Sequence, residues 1–283
     1  MRTTSAKLHD GSTIAVEIDG QGPVVLLPVN AKPAEGTEAE TKQKWGMDPA
    51  LGRSLIDGLS DKFTVVTFDY EGHLIEHPAP DTLTPDNIAH DILAIADAAG
   101  AAHFAYYGYS WLAVCGLQLA IRTDRLWALI MGGYPPIDGP YQGMLAVTKA
   151  THDMATKPKK QSVQPKAPDE FDWDAVEITM TEVQTRQFMT LYEALQKFDD
   201  RAAQASITCP CLCFAGSADK IVYGERWDNA VVDIAGPLVG QAEALKKFGW
   251  EVRVLEGLDH TGAMQAVNVL PVIRPWLVAK ALA

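Results

Sequence analysis

The sequence has few cysteines and no long apolar run. Its four cysteines are Cys115, Cys209, Cys211 and Cys213. Three of them alternate along one apolar segment, a spacing that suits neither a disulfide nor a zinc site, so we expect buried free thiols in a core strand. No stretch of about 18 apolar residues occurs, which predicts no membrane span. The polar segment 1–12 lacks the apolar core of a signal peptide, so a cytoplasmic protein is expected.

Basic residues are also scarce. The chain has 24 Lys and Arg against 36 Asp and Glu, for a formal net charge of -12 at pH 7. An acidic surface repels phosphate backbones and anionic lipids, so we expect neither nucleic acid nor a membrane as a partner. The 283 residues are 47% hydrophobic and 21% charged, as is ordinary for a globular protein. This length suits one large α/β domain with an insertion, or two small domains. It leaves the oligomeric state open, a homo-oligomer included.

Short apolar segments separated by helical patterns predict a doubly wound α/β sheet. The segments are almost continuously apolar rather than alternating, as expected for parallel strands covered on both faces. The predicted strands cover residues 24–27, 63–68, 104–107, 127–131, 211–215 and 252–255. Before them, segments 6–9 and 13–18 flank Asp10-Gly11, which indicates a hairpin with a tight turn.

Helix signals fall between these strands. The clearest predicted helix covers residues 85–99, because Thr84 can cap it, Pro85 suits its first turn and Gly100 can end it. The other predicted helices cover residues 111–121 and 237–248. By contrast, segment 30–46 is long for a loop between a strand and a helix, and loops of that length are often functional.

The alternation of strands and helices breaks in the middle of the chain. We expect a helical cap over residues 136–205, inserted between core parts at residues 1–135 and 206–283. The insertion holds clusters of Pro, Lys and Gln and then a long helical pattern from residue 182 to its end. Because it follows the strand at 127–131, it would leave the sheet at the carboxyl edge. It therefore predicts a lid over a largely apolar pocket at that edge.

Three polar residues follow predicted strands at the points where the strands end. The strand at 104–107 leads through Gly108 into Ser110 and then into a helix, which is the setting of a nucleophile elbow. The alternative is that Ser110 only caps that helix. Asp219 and His260 each follow a later strand and a glycine. Because the carboxyl ends of parallel strands meet at one edge of a sheet, we expect the serine, the aspartate and the histidine to lie together.

These motifs resemble those of the α/β-hydrolase superfamily in its capped, esterase-like form. Segment 69–73 is similar to the family's Asp-x-x-Gly-His turn, 216–222 to its acid motif and 257–260 to its histidine motif. Two positions differ, since Pro28-Val29 replaces a His-Gly pair and Leu112 replaces the second elbow glycine. The resemblance covers nearly the whole chain outside the insertion. It implies an α/β fold with a doubly wound, mostly parallel eight-stranded sheet.

The resemblance also implies a serine hydrolase that cleaves a small or medium carboxylic ester, or a related acyl compound, through an acyl-enzyme. Ser110 would attack the acyl carbon. His260 would accept the serine proton and pass it to the leaving group, and Asp219 would hold the histidine tautomer. The partner implied is a small-molecule substrate, with no metal and no organic cofactor.

Two backbone N–H groups are implied as the oxyanion hole. One belongs to Trp111, whose indole either walls the acyl pocket or packs the start of the helix. The other belongs to Asn30 in the loop after the third strand, with the N–H of Val29 as the alternative. We expect this loop to be shaped differently from the family's, because the His-Gly pair is missing. We expect Leu112 to reshape the elbow rather than abolish it, since small residues follow it in the helix.

Other functions remain open on the same residues. The triad could perform another reaction, such as cofactor-free perhydrolysis, carbon–carbon bond hydrolysis or a lyase step, and the fold cannot choose among them. A receptor-like homologue with little turnover is a further alternative, favoured by Leu112 and by the missing His-Gly pair. A haloalkane dehalogenase is disfavoured, because its nucleophile is an aspartate where this chain has Ser110.

Two acidic and histidine-rich features are weaker candidates. His73 and His77 lie near three acidic residues, which suggests a metal site, but His73 falls on the family turn and a structural role is favoured. Asp259 adjoins His260. Side chains of adjacent loop residues rarely face each other, so Asp219 is the expected partner of the histidine.

Overall fold

The computed structural model describes residues 1–157 and 178–282. Their main feature is an eight-stranded sheet in the order β1-β2-β4-β3-β5-β6-β7-β10, in which β1 and β2 are antiparallel and the strands from β4 onward are parallel. The short strands β8 and β9 pair separately. The strands are β1 Arg2–Lys7, β2 Thr13–Asp19, β3 Val24–Leu27, β4 Thr64–Thr67, β5 Phe104–Tyr109, β6 Leu126–Gly132, β7 Cys211–Gly216, β8 Lys220–Val222, β9 Val231–Asp233 and β10 Trp250–Leu255. The prediction of a mostly parallel eight-stranded sheet is confirmed.

Helices cover both faces of the sheet. One buried cluster holds the apolar side chains of α4 and α5, and the other holds those of α2 and α12. The helices are α1 Gly36–Lys44, α2 Leu51–Leu59, α3 Tyr70–Glu76, α4 Pro85–Ala99, α5 Trp111–Ala120, α6 Tyr141–Thr156, α7 Glu182–Ala194, α8 Asp200–Ala203, α9 Ala235–Gly240, α10 Ala242–Lys247, α11 His260–Ala263 and α12 Ala266–Ala281. This two-sided cover is what makes the sheet doubly wound. None of the described helices is long and apolar enough to cross a membrane.

Helix α4 has the predicted bounds. The Thr84 hydroxyl accepts a hydrogen bond from the Asn87 N–H, Pro85 occupies the first turn, and Gly100 ends the helix in the left-handed region with φ 75°. Each terminus is therefore fixed by the residue that the sequence offers for it.

Several boundaries differ from the sequence prediction. The helix predicted over 237–248 divides at Gln241 into α9 and α10, because a glycine is a poor residue for a helix interior and Gly240 stands there. The pattern after residue 182 ends with α7 and resumes only where the Asp199 side chain caps α8. The hairpin turn spans Leu8 to Ser12 rather than two residues. Segment 30–46 is not all loop, because it contains the exposed helix α1.

The four cysteines are free thiols, as expected. Cys211 and Cys213 are buried in β7, and Cys115 is buried in α5. Cys209 lies before β7 and is only half-buried, because the strand begins two residues later than the apolar run.

The described part of the insertion contacts the core through α7. The Gln187 side chain accepts from the Ala79 N–H and donates to the Leu74 carbonyl, and Thr190 donates to the Pro80 carbonyl. These bonds join α7 to α3 and to the segment that follows it, beside the carboxyl edge of the sheet. The division into core and cap at residues 136–205 remains a prediction, and residues 158–177 of it lie outside the described residues.

Candidate active site

Ser110 occupies a sharp turn between β5 and α5. Its φ of 57° and ψ of −131° lie in a region that side-chain-bearing residues rarely adopt. The Ser110 N–H donates to the Gly132 carbonyl of β6 at 2.8 Å. The serine side chain makes no capping bond to α5, so the helix-cap alternative does not describe its contacts.

Two residues hold the backbone of this turn together. A Cβ at Gly108 would collide with the Leu112 carbonyl oxygen, so the close approach of these two backbones requires glycine at position 108. The Tyr106 hydroxyl of β5 donates to the same carbonyl at 3.0 Å, and both partners are buried. The sharp turn forms although Leu112 stands in place of glycine. The expectation that Leu112 does not abolish the elbow agrees with this backbone.

The three residues predicted to meet do lie together. His260 Nε2 lies 3.1 Å from Ser110 Oγ, and His260 Nδ1 lies 3.0 Å from both carboxylate oxygens of Asp219. Asp219 is fully buried, whereas the His260 side chain is 20% exposed. A carboxylate on Nδ1 holds the proton there and leaves Nε2 as an acceptor for the serine hydroxyl. The arrangement can therefore deprotonate the serine while the buried carboxylate stabilises the imidazolium.

The loops after β7 and β10 pack tightly, which fixes Asp219 against His260. A Cβ at Gly216 would collide with the Leu258 carbonyl, and the Ala218 N–H donates to that carbonyl at 3.0 Å. The neighbouring Asp259 faces away, because its side chain caps α11 by accepting from the Gly262 N–H at 2.7 Å. Asp219 is thus the carboxylate that contacts the imidazole.

Tyr109 is a residue of the site that sequence reasoning missed. Its hydroxyl donates to the His260 carbonyl at 2.8 Å, and the two ring centroids lie 5.1 Å apart. Burial and the charge of Asp219 raise the pKa of Tyr109, which keeps the phenol neutral. The tyrosine therefore fixes the position of the histidine backbone and ring. Its place directly before the serine was the only signal of this role.

The candidate oxyanion donors lie beside the serine. Trp111 is the first residue of α5, where a helix N–H has no intrahelical partner. Strands β3 and β5 pair in parallel with Leu26 opposite Tyr106, and Asn30 and Ser110 each follow four residues after that pair. Neither N–H donates a hydrogen bond to any residue that the structure describes.

The loop that carries Asn30 has its own internal contacts. The Val29 N–H donates to the Leu27 carbonyl at 2.9 Å, which occupies the alternative donor. The Asn30 side-chain oxygen accepts from the Lys32 N–H, which leaves the side-chain amide N–H groups as well as the backbone N–H for a substrate. A Cβ at Gly52 in α2 would collide with the Asn30 carbonyl. A glycine in α2 thus lets the Pro-Val loop lie close to the core.

Glu71 contacts the residue after the nucleophile, a link that sequence reasoning also missed. The Trp111 indole N–H donates to Glu71 Oε2 at 3.0 Å. The indole also stacks on Tyr70, with centroids 6.2 Å apart, and meets the edge of Phe188 at 5.3 Å. Phe188 belongs to α7, so the insertion reaches the residue beside Ser110. Burial, with a smaller contribution from the charge of Asp69, raises the pKa of Glu71.

The histidines near Asp69 contact other residues. His73 Nε2 lies 2.8 Å from the Ser12 hydroxyl, and its ring lies 4.8 Å from that of His77. These contacts tie α3 to the N-terminal hairpin. Across residues 1–157 and 178–282, no group of three or more His, Cys, Asp or Glu side chains is arranged to hold a metal ion.

Known proteins resemble this chain in sequence and in structure. No family model matches the sequence. A relative, 3-oxoadipate enol-lactonase 1 of Acinetobacter baylyi, is 26% identical over 221 residues, which cover 75% of this chain and 78% of that protein. A thermophilic esterase from Thermogutta terrifontis superimposes with a TM-score of 0.61 at 17% identity, over 99% of this chain and 100% of the other. An enol-lactonase from Burkholderia xenovorans LB400 superimposes with a TM-score of 0.57 at 18% identity, over 99% and 100% of the two chains.

Proposed function

The chain has the α/β-hydrolase fold, and we propose that it is a serine hydrolase that cleaves a small or medium carboxylic ester or lactone. The observation that carries the proposal is the unbroken series of contacts from Ser110 through His260 to Asp219 at a strained turn. A serine that only capped a helix would need neither the strain nor the histidine.

The reaction begins when Ser110 Oγ attacks the acyl carbon and His260 Nε2 takes its proton. The negative oxygen of the tetrahedral intermediate is held by the N–H groups of Trp111 and Asn30. The intermediate collapses when the imidazolium gives its proton to the leaving alkoxide, which departs as the alcohol. Water then attacks the acyl-enzyme with the same histidine as base, and the acid is released with Ser110 restored.

The comparisons support an acyl substrate. Three of the similar proteins act, by their names, on esters or cyclic esters. They are the enol-lactonase relative, the thermophilic esterase and the enol-lactonase of known structure. The receptor-like alternative rested on Leu112 and on the missing His-Gly pair. The turn nevertheless forms with Leu112 in place, and the Asn30 N–H donates to no described residue, so neither departure argues for a binding protein over an enzyme.

The insertion at residues 136–205 acts in this proposal as a lid. Its helix α7 reaches the site through Phe188, whose ring lies edge to face with that of Trp111, and is held to the core by the bonds of Gln187. A lid that excludes water strengthens the electrostatic contacts of the intermediate, and it limits the substrate to compact acyl and alcohol groups.

A fluorophosphonate probe tests the proposal. We expect a mass increase of one adduct per chain, and peptide mapping that places the adduct on Ser110. Ser110→Ala is expected to remain unlabelled, and Thr82→Ala, which removes a surface hydroxyl, is the matched control that labels like the parent. An unlabelled parent, or an adduct on another residue, would refute the assignment of Ser110 as the nucleophile.

A further inference from the structure

The strand order gives the approximate separation between Glu71 and the nucleophile. It is the second residue of α3, which follows β4, and β3 alone separates β4 from β5. Two strand spacings amount to about 10 Å. The bond from the Trp111 indole holds the carboxylate on the side of the residue that follows Ser110. This separation is of the order of the length of a small ester.

The carboxylate of Glu71 has water access but no cation beside it. The residue is exposed, and desolvation by the surrounding protein atoms raises the pKa of its carboxyl. The titratable groups that face it are Asp69 of its own turn and the Cys115 thiol of α5. No Lys, Arg or His of the described residues forms an ion pair with Glu71. A negative charge is thus left without a counterion next to the proposed nucleophile.

Aromatic rings complete this surface. Trp111 and Phe188 are both half-buried, and their rings meet edge to face with centroids 5.3 Å apart and an interplanar angle of 81°. Aromatic faces attract alkylammonium groups through the ring quadrupole, most strongly at tryptophan. An ionised carboxylate in a partly desolvated position attracts the same groups and repels anions.

We propose that Glu71, Trp111 and Phe188 form a cation subsite. The subsite selects esters in which a short linker joins an ammonium group to the scissile ester group. The subsite rests on the serine hydrolase function proposed above and names its substrate class. It discriminates against esters with a carboxylate at the same position, since no cation among residues 1–157 and 178–282 pairs with Glu71. The indole bond holds the Glu71 side chain in place before the substrate arrives.

A matched pair of esters tests the proposal. Acetylcholine and 3,3-dimethylbutyl acetate have the same shape and differ in the charge of the quaternary centre. We expect kcat/KM to favour the cationic ester by about tenfold or more in the parent. Glu71→Gln keeps an oxygen acceptor for the indole and removes the charge, so the ratio should fall close to one. Glu76→Gln makes the same charge change at an exposed position of the same helix and should leave the ratio as in the parent.

The pH dependence of this ratio adds a second readout. Both esters are cleaved by the same three residues, so any effect of pH on those residues cancels in the ratio. The preference for the cation requires ionised Glu71 and is lost as pH falls through the raised pKa of that carboxyl. The loss should begin at a higher pH than an ordinary glutamate would give, and it should be absent in Glu71→Gln.

Failure of the subsite and failure of the proposed reaction give different results. Equal hydrolysis of the two esters by the parent would overturn the cation subsite and leave the serine hydrolase standing. If neither ester is cleaved, calorimetric binding of tetramethylammonium decides, because it needs no turnover. Binding that weakens at least about fivefold in Glu71→Gln, but not in Glu76→Gln, supports the subsite. Binding that is absent in the parent, or equal in both variants, overturns it.

Discussion

Among the described residues, two Asp–His–hydroxyl series have nearly the same distances. In one, Asp219 and Ser110 lie 3.0 and 3.1 Å from the two nitrogens of His260. In the other, Asp91 Oδ2 lies 2.8 Å from Nδ1 of His9, and the Thr82 hydroxyl lies 3.0 Å from its Nε2. Both aspartates are fully buried. Connectivity alone therefore does not separate a candidate catalytic triad from a structural contact.

The surroundings of the two hydroxyls differ. Thr82 lies in an exposed turn with an ordinary backbone, and the N-terminus of the helix after it is already capped by Thr84. Ser110 lies on a strained turn at the uncapped N-terminus of α5. The Trp111 backbone N–H at this N-terminus has no hydrogen-bond partner among the described residues, so it is free to bind an oxyanion.

The two carboxylates also differ in their donors. Asp91 accepts from the His9 N–H and from the Tyr70 hydroxyl in addition to the His9 ring, so it joins the N-terminal hairpin, α3 and α4. The Asp219 side chain contacts the His260 ring alone among the described residues. The first carboxylate therefore stabilises the fold, and the second is available to orient a base.

The largest expected effect separates the two hydroxyls. Ser110→Ala should lower kcat for an activated ester by about 10⁴-fold or more, because the covalent step is lost. Thr82→Ala should leave kcat within about twofold, since Thr82 lies in an exposed turn with an ordinary backbone. Initial rates under matched conditions measure both. A comparable loss in the threonine variant would show that the second series takes part in the reaction.

The next effect separates the two carboxylates. Asp219→Asn should lower kcat by about 10³–10⁴-fold while the chain stays folded, because the amide favours the wrong histidine tautomer. Asp91→Asn should reduce the free energy of unfolding by about 2–4 kcal/mol, because an amide turned toward three donors leaves buried groups unpaired. Its kcat should stay close to the parent's at temperatures where it is folded.

Thermal unfolding and ester kinetics on both variants check this assignment. If Asp91→Asn lost activity as strongly as Asp219→Asn while still folded, the division into a structural and a catalytic carboxylate would be wrong. If Asp219→Asn unfolded instead, its role would be structural as well.

Local sequence signals predicted the parts of the fold that depend on local chemistry. The caps of α4 and the strand that leads into Ser110 are of this kind, because each depends on neighbours within a few residues. Helix α12 was missed, because Pro271 and Pro275 signal a break. Both prolines lie on its exposed face, while Ile273 on the other face is buried in the core. Tertiary packing here overrides the local preference.

The site, like the fold, was predictable in part. Three residues that each follow a strand must meet at one sheet edge, so Ser110, Asp219 and His260 follow from the topology. The bonds of Tyr109 to the His260 carbonyl and of Trp111 to Glu71 join residues 151 and 40 positions apart in the chain. No periodic pattern encodes such contacts, because they depend on where the side chains point after packing.

The smallest expected effect on kcat concerns the strained turn, which Ser110 has and Thr82 lacks. Leu112 contributes its backbone carbonyl to the turn, and its side chain is buried in the core. Leu112→Gly should therefore cost about 3 kcal/mol of stability, from lost apolar burial and a glycine in a helix. It should change kcat by less than about tenfold, because the carbonyl and its bond from Tyr106 remain.

The matched variant is Gly108→Ala, which adds one methyl group on the opposite side of the same contact. The new Cβ would collide with the Leu112 carbonyl, so the turn must open and the serine must move. A displacement of about 1 Å at a reacting atom costs about 10²-fold in rate, and we expect a loss of at least that size. The two variants together test whether the close backbone approach, rather than the side chain at position 112, sets the reactivity of Ser110. A larger rate loss in Leu112→Gly than in Gly108→Ala would mean that the leucine side chain holds the turn, and the strain at Ser110 would then have another cause.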